Sequence, residues 1–265
     1  MNKKSYPCVI SPMPDKYVIP NLRNACRILK HLGQGNSGFI AHDIASALSL
    51  PATTTLRIMN TLHLEGLVRK DRGQYFLGPV LIHLGNRALA ATELHALAQP
   101  VLQKLTRLTG ETSHVAVPCD NRSLIISVVD GPHPLRAASR PGTLVEMHCS
   151  ATGKIFLSFL PDLLQKTYGP GHTIKRYSPR TFTTYGGLKK ETDLTGKRGY
   201  SFDNEEFHDG VRCLAAPVRG SDRSVIAAVG ITAAVVRFPL DRTAEIAGHV
   251  QAAARELSQG LGYAE

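Results

Sequence analysis

The chain is 265 residues long, with 43% hydrophobic and 20% charged residues. That is enough apolar material for true cores, and the length favours two domains, so disordered and collagen-like classes are excluded. The net charge is +10, and the first 80 residues carry +6 of it, with ten basic residues against four acids. A polyanionic partner would therefore meet the N-terminal third.

No run approaches eighteen apolar residues, so no membrane span is expected. The first fifteen residues lack the apolar core of a secretory leader. The five cysteines (Cys8, Cys26, Cys119, Cys149, Cys213) are odd in number and form no Cys-x-x-Cys pair. They argue against a disulfide scaffold or a zinc ribbon and for a reducing, cytoplasmic setting. No cofactor is called for.

Residues 1–19 carry Pro7, Pro12 and Pro14 without helical period and read as a flexible N-terminal tail. Pro20 suits the first turn of a helix. Leu22, Ala25, Cys26, Ile28, Leu29 and Leu32 follow at helical spacing, and Gly33, Gly35 and Gly38 end the run. A second stripe, Ile40, Ile44, Ala45, Ala47 and Leu48, stops at Ser49-Leu50-Pro51. The third helix opens at Pro51, carries Leu56, Ile58, Met59 and Leu62, and ends near Glu65-Gly66, with Gly66 as C-cap. Two short β runs then flank the turn Asp71-Arg72-Gly73, which predicts a hairpin.

Three short helices, a tight turn between the second and third, and a basic hairpin make a winged helix-turn-helix over 20–79. Its third helix would enter the major groove with Ala52, Thr53, Thr54, Arg57 and Asn60. Arg69, Lys70 and Arg72 of the wing would neutralise phosphates or enter the minor groove. The expected partner is double-stranded operator DNA.

Residues 79–110 read as helix with a break or new start at Pro100. The part over 80–98 is expected as a linker helix whose apolar face suits a partner subunit. From Glu111 the period changes. Thr112–Val117, Leu124–Asp130, Val211–Arg219 and Val225–Thr232 read as strands. Ala151–Leu160, Pro161–Tyr168, Leu188–Lys197 and about 240–261 read as helices. The fold class is α/β (α+β), with a mixed α/β domain over 99–265 and a largely antiparallel sheet.

Four stretches carry a resemblance. They are Leu50–Arg57 with the wing end Gln74–Gly78, then Leu108–Thr112, then His148–Lys154, then Arg198–Phe207 continuing through Gly210–Val218. In that order and spacing they resemble the IclR family of bacterial transcriptional regulators, from about Pro20 to Gly262. The resemblance implies an operator-reading winged helix, a C-terminal GAF-like domain that binds a small-molecule effector, and assembly as a homodimer or homotetramer.

The family pattern implies where that effector sits. Backbone N–H groups at Ala151, Thr152 and Gly153 would hold an anion at a helix N-terminus. Asp203, Val211, Cys213, Gly230 and Thr232 would face it, with Met147 and His148 at the mouth. Relatives that bind small acids often carry Ser where Gly230 stands, so Gly230 would make room for a larger ligand or weaken one contact. Lys154 fits capping or an internal ion pair, and Arg212 fits a pairing with Glu205 or Glu206. A small carboxylate or sugar-acid-like effector is expected.

Two other readings are open. Cys149, with a thiol pKa lowered at a helix N-terminus, and Cys213 would serve a thiol-dependent sensor or a GAF-like enzyme. His148, Cys149, Asp203, His208 and Cys213 would serve a metal sensor. Neither has a nucleophile–base signature or a compact zinc spacing, so neither catalytic nor metal residues are assigned.

Overall fold

A computed structural model describes residues 15–35, 37–90, 92–134, 136 and 139–264. Most of the expected N-terminal tail, residues 1–14, lies outside the described residues. The described backbone divides into two compact units, one before and one from Thr92.

The first unit begins with α1 (Pro20–Leu32), α2 (Ala41–Leu48) and α3 (Ala52–Leu64). Ile28 and Leu32, one turn apart, meet Ile44, Ile58, Met59 and Leu62 in a common core. That i, i+4 spacing is what places apolar side chains on one helix face. Ser49 ends α2 in the left-handed region (φ 53°), and Pro51 caps α3. The Arg27 guanidinium donates to the Leu48 carbonyl at 2.9 Å, a cation at the negative end of α2.

Beyond α3 the chain turns at Gly66 (φ 67°) into β1 (Val68–Asp71) and β2 (Gln74–Leu77). Arg72 and Gly73 have φ of 46° and 81°, the two positive values that a tight two-residue hairpin needs. Phe39 adds a bridge to Tyr75, and Val68 and Tyr75 close the core from below. A Cβ on Gly78 would come within 2.1 Å of the Gly66 carbonyl oxygen, so only glycine lets the wing exit cross the α3 exit. The helix α4 (Pro79–Ala90) follows, and none of its residues is buried.

The second unit opens with α5 (Glu93–Thr109), and here two expectations are corrected. The helical run breaks before Glu93, not at Pro100, and the segment expected as one linker helix over 80–98 belongs to α4 and α5. Thr92 caps α5 by accepting the His95 N–H, while Pro100 sits inside the helix. Pro100 and Ala96 are both exposed, so the carbonyl that Pro100 cannot reach faces water. Burial of Leu94, Ala98, Val101, Leu102 and Leu105 holds the helix together.

Then come β3 (Thr112–Cys119), β4 (Arg122–Val129), β5 (Leu144–Glu146), α6 (Ala151–Phe159), α7 (Pro161–Tyr168), α8 (Tyr185–Arg198), β6 (Ser201–Asn204), β7 (Val211–Arg219), β8 (Val225–Ala234) and α9 (Thr243–Gly260). The strands β5 and β6 were not expected. The sheet order is β5-β4-β3-β8-β7-β6, antiparallel throughout. The helices α5 and α9 pack together and onto the sheet, as do α6 and α8. Glu111, buried just past the left-handed C-cap Gly110, is clamped by Arg237 through two bonds of 2.6 and 2.8 Å.

Register places the site. Thr112 pairs with Thr232, Thr232 with Cys213, and Cys213 with Asp203, so one row of side chains crosses β3, β8, β7 and β6. The next row is His114, Gly230, Ala215 and Ser201. Strand alternation puts both rows on one face.

Candidate functional site

On that face lies a cavity of about 260 Å³. Its walls come from His114, Ile125, Val145, the α6 start (Ser150, Ala151, Thr152), Asp203, Phe207, His208, Val211, Cys213 and Thr232, with Ser139 and Thr143. Of the residues expected to face a ligand, the structure brings Ala151, Thr152, Asp203, Val211, Cys213 and Thr232 together here.

The N-terminus of α6 is built by Ser150. Its hydroxyl oxygen accepts the Gly153 N–H at 3.2 Å and donates to the Glu146 carbonyl at 2.6 Å. The N–H groups of Ala151 and Thr152 have no acceptor within the helix, and both residues line the cavity. The Thr152 hydroxyl is already engaged with Ser123 at 2.8 Å, so this residue offers its backbone.

Asp203 is buried and accepts the Glu206 N–H at 2.7 Å. Burial pushes its carboxyl up to about 6, against the pull of Lys154. The Cys213 thiol donates to the Thr232 hydroxyl at 3.6 Å. Lys154, fully buried one turn into α6, donates to the Phe202 carbonyl at 2.6 Å and to Glu206 at 2.5 Å, with Glu191 at 3.5 Å. It is the internal ion pair the sequence allowed. Burial raises the Glu206 carboxyl to about 7. Arg212 reaches Glu205 at 3.5 Å, Asn204 at 2.8 Å and the Phe238 carbonyl at 2.7 Å, and does not line the cavity.

Three expected ligand contacts are corrected. Gly153 and Met147 do not line the cavity. Met147 is wholly buried in the core, and a Cβ on Gly153 would stand 2.2 Å from its Cα. Glycine here lets the helix start press onto the preceding backbone. Gly230 lies in the row beside the cavity, where a Cβ would meet the Leu214 carbonyl oxygen at 2.5 Å. Its lack of a side chain serves close strand packing and opens no extra room for a ligand.

The thiol expectation is also corrected. Burial, with Asp203, Glu146 and Glu206 nearby, raises the Cys149 thiol far above its ordinary value, and burial raises Cys213 well above it too. The helix N-terminus does not outweigh that desolvation. His148 sits in the core against Tyr168 and Tyr177, with Nε2 at 2.9 Å from the Lys175 carbonyl oxygen, away from the mouth. Among the described residues no three of His, Cys, Asp and Glu gather to hold a metal ion.

Sequence reasoning missed His114 altogether. It is buried on β3, and burial lowers its pKa to about 4. Its only signal was a histidine inside an apolar strand, on the parity of Thr112 and Ala116.

In the first unit α3 turns Thr55, Ile58, Met59 and Leu62 inward. At 100° per residue, Thr53, Arg57 and Asn60 fall on the opposite face, and all three are exposed, as is Ala52. Thr54 is half-buried and borders a groove with Asn21, Leu22 and Ala25 of α1, so it is less outward than its neighbours. On the wing, the Arg69 guanidinium lies 4.1 Å from the centre of the Phe76 ring and the Lys70 ammonium 5.3 Å from that of Tyr75. Arg72 stands exposed at the tip. The Arg69 and Lys70 cations are held up on these rings rather than trailing.

A winged helix in one unit and a mixed α/β domain with a ligand-sized cavity in the other define a class of DNA-binding regulators. The IclR helix-turn-helix domain matches residues 22–72, and the bacterial transcriptional regulator IclR C-terminal domain matches residues 86–259. The chain belongs to the IclR family of bacterial transcriptional regulators. It is 30% identical to the transcriptional repressor IclR of Escherichia coli (strain K12), over 96% of this chain and 94% of that one. Two solved structures share the fold. An IclR transcriptional regulator from Alicyclobacillus acidocaldarius is 24% identical, with a TM-score of 0.79 over 93% of this chain and 100% of that one. An IclR homolog from Microbacterium hydrocarbonoxydans, complexed with 4-hydroxybenzoate, is 20% identical, with a TM-score of 0.74 over 91% and 98%. No described helix is long and apolar enough to cross a membrane.

Proposed function

We propose that this regulator binds operator DNA through α3 and the wing, and that a small carboxylate in the α6 cavity controls that binding. The observation that carries the reading is the pair of N–H groups at Ala151 and Thr152, without helical acceptors, on the wall of a cavity that also holds polar side chains. The 4-hydroxybenzoate held by one structural neighbour is an acid of compatible size. Thr53, Arg57 and Asn60 read bases or phosphates, with Ala52 and Thr54 beside them, and Arg69, Lys70 and Arg72 carry the salt-dependent part.

The regulator works as a homodimer or homotetramer. The support is α4, which buries no residue within the chain and exposes Ile82 (68%) and Leu84 (51%). Two recognition helices then meet successive major grooves. An acid that prefers one arrangement of the two units shifts the population toward it, by no more than its difference in affinity.

Fluorescence anisotropy tests this with DNA from beside the chain's own gene, a scrambled control, a salt series and a panel of small acids. The expected result is binding about a thousandfold tighter than to the control, shifted by at least one acid. Equal, salt-labile binding to both DNAs that no acid alters would overturn the reading.

A further inference from the structure

We propose that His114 reads the uncharged end of the effector: its imidazole N–H donates to a hydroxyl or carbonyl oxygen of an acid whose carboxylate sits at the α6 N-terminus. This rests on the acid-binding reading of the cavity and names a residue that the reading did not use. His114 is 5% exposed and lines the cavity. Its Nδ1 is buried with no hydrogen-bond partner. The ring lies one row along the sheet from Thr232, Cys213 and Asp203, and among the described residues no hydrogen bond to Nδ1 explains it.

Burial keeps the ring neutral at pH 7, with a pKa of about 4. A neutral imidazole carries one N–H. A proton on Nδ1 would be a buried donor with no acceptor among the described residues. In this proposal the proton therefore sits on Nε2, and Nε2–H is the donor offered to the ligand. Around it Ile125, Val145 and Phe207 supply apolar wall, where one aligned hydrogen bond discriminates strongly. A ligand without an oxygen for His114 leaves that donor unpaired and is rejected on that account. The ring's lack of charge also separates the two ends of the ligand: the anion goes to α6, and the neutral oxygen goes to His114.

The test is calorimetric titration of the full chain with two matched pairs of acids, propionate with lactate and benzoate with 4-hydroxybenzoate. For at least one pair, the oxygen-bearing member is expected to bind about tenfold or more tightly. In His114→Phe that preference vanishes, and the plain acid, no longer meeting an unpaired donor, binds at least as tightly as to the wild type. In His114→Gln, which keeps a donor, part of the preference returns.

If His114→Phe does not fold, His114→Gln and nitrogen-15 spectra of the imidazoles decide. The signal missing from His114→Gln shifts in the wild type with the oxygen-bearing acid and not with its partner. A preference that survives in His114→Phe, or a signal indifferent to the extra oxygen, overturns the role of His114 and leaves the acid site standing. If none of the four acids binds the wild type, the acid reading falls and the proposal with it.

Discussion

A Cβ on Gly153 would stand 2.2 Å from the Cα of Met147 and 2.5 Å from its carbonyl oxygen. Backbone lies against backbone here, so a side chain has nowhere to turn. This contact fixes where α6 begins and so aims the Ala151 and Thr152 N–H groups. Gly153→Ala is expected to cost more than the usual ~1–3 kcal/mol of overpacking and to weaken acid binding as the helix start moves. Urea unfolding and calorimetry check both. A variant as stable as the parent would show that the approach is not tight.

Gly230→Ser would add a hydroxyl in the row beside the cavity. The register and the 2.5 Å approach to the Leu214 carbonyl oxygen argue against a gain here. The expected outcome is a loss of about 1–3 kcal/mol in stability, with no tighter acid binding. Tighter binding at unchanged melting temperature would contradict it.

The Lys154 ammonium holds the buried Glu206 carboxylate at 2.5 Å. Lys154→Met leaves that carboxyl without this cation, which for a buried pair costs about 3–5 kcal/mol. The double variant Lys154→Met, Glu206→Gln removes both charges and is expected to recover much of the loss. Additive losses in a double-mutant cycle would show the two groups to be uncoupled.

His114 and Asp203 tilt stability with pH in opposite senses. The His114 pKa is lowered from 6.5 to about 4, so its contribution is complete above pH 6.5 and is lost as pH falls through about 4. The Asp203 pKa is raised from 3.8 to about 6, so its contribution is complete below pH 3.8 and is lost as pH rises through about 6. Urea midpoints from pH 4 to 8 should therefore fall less steeply on the acid side for His114→Gln. They should fall less on the rise from 4 to 6 for Asp203→Asn. Curves parallel to the wild type would refute the assignment.

On DNA, Arg69→Ala, Lys70→Ala and Arg72→Ala should each weaken binding to operator and control alike. The slope of log K against log salt should fall by about 1 for each phosphate left without its cation. Asn60→Ala and Thr53→Ala should cost about 1–3 kcal/mol on the operator and relax preference at single bases. Anisotropy across a salt series separates the two groups of variants.

Much of the fold was legible because its signals are periodic. Ile28, Leu32, Ile58, Met59 and Leu62 recur at helical spacing, and all are buried. Gly66 and the Arg72-Gly73 turn announced the chain reversals. What escaped was short or non-local. The strand β5 has three residues, and β6 carries Asp203 and Asn204 on an edge, so neither shows alternation long enough to read. The break at Thr92 lost to Pro100 because proline is the louder local signal, while the cap and the burial that overrule it depend on neighbours. His114 depends on strand register, which only the folded sheet reveals.

The Ser150 cap has a further consequence. By taking the Gly153 N–H for its own hydroxyl, it removes one donor from the first turn of α6 and leaves those of Ala151 and Thr152. Two donors side by side match the two oxygens of a carboxylate. If a small acid is the effector, as proposed, that count suits its carboxylate better than a tetrahedral anion with oxygens to spare.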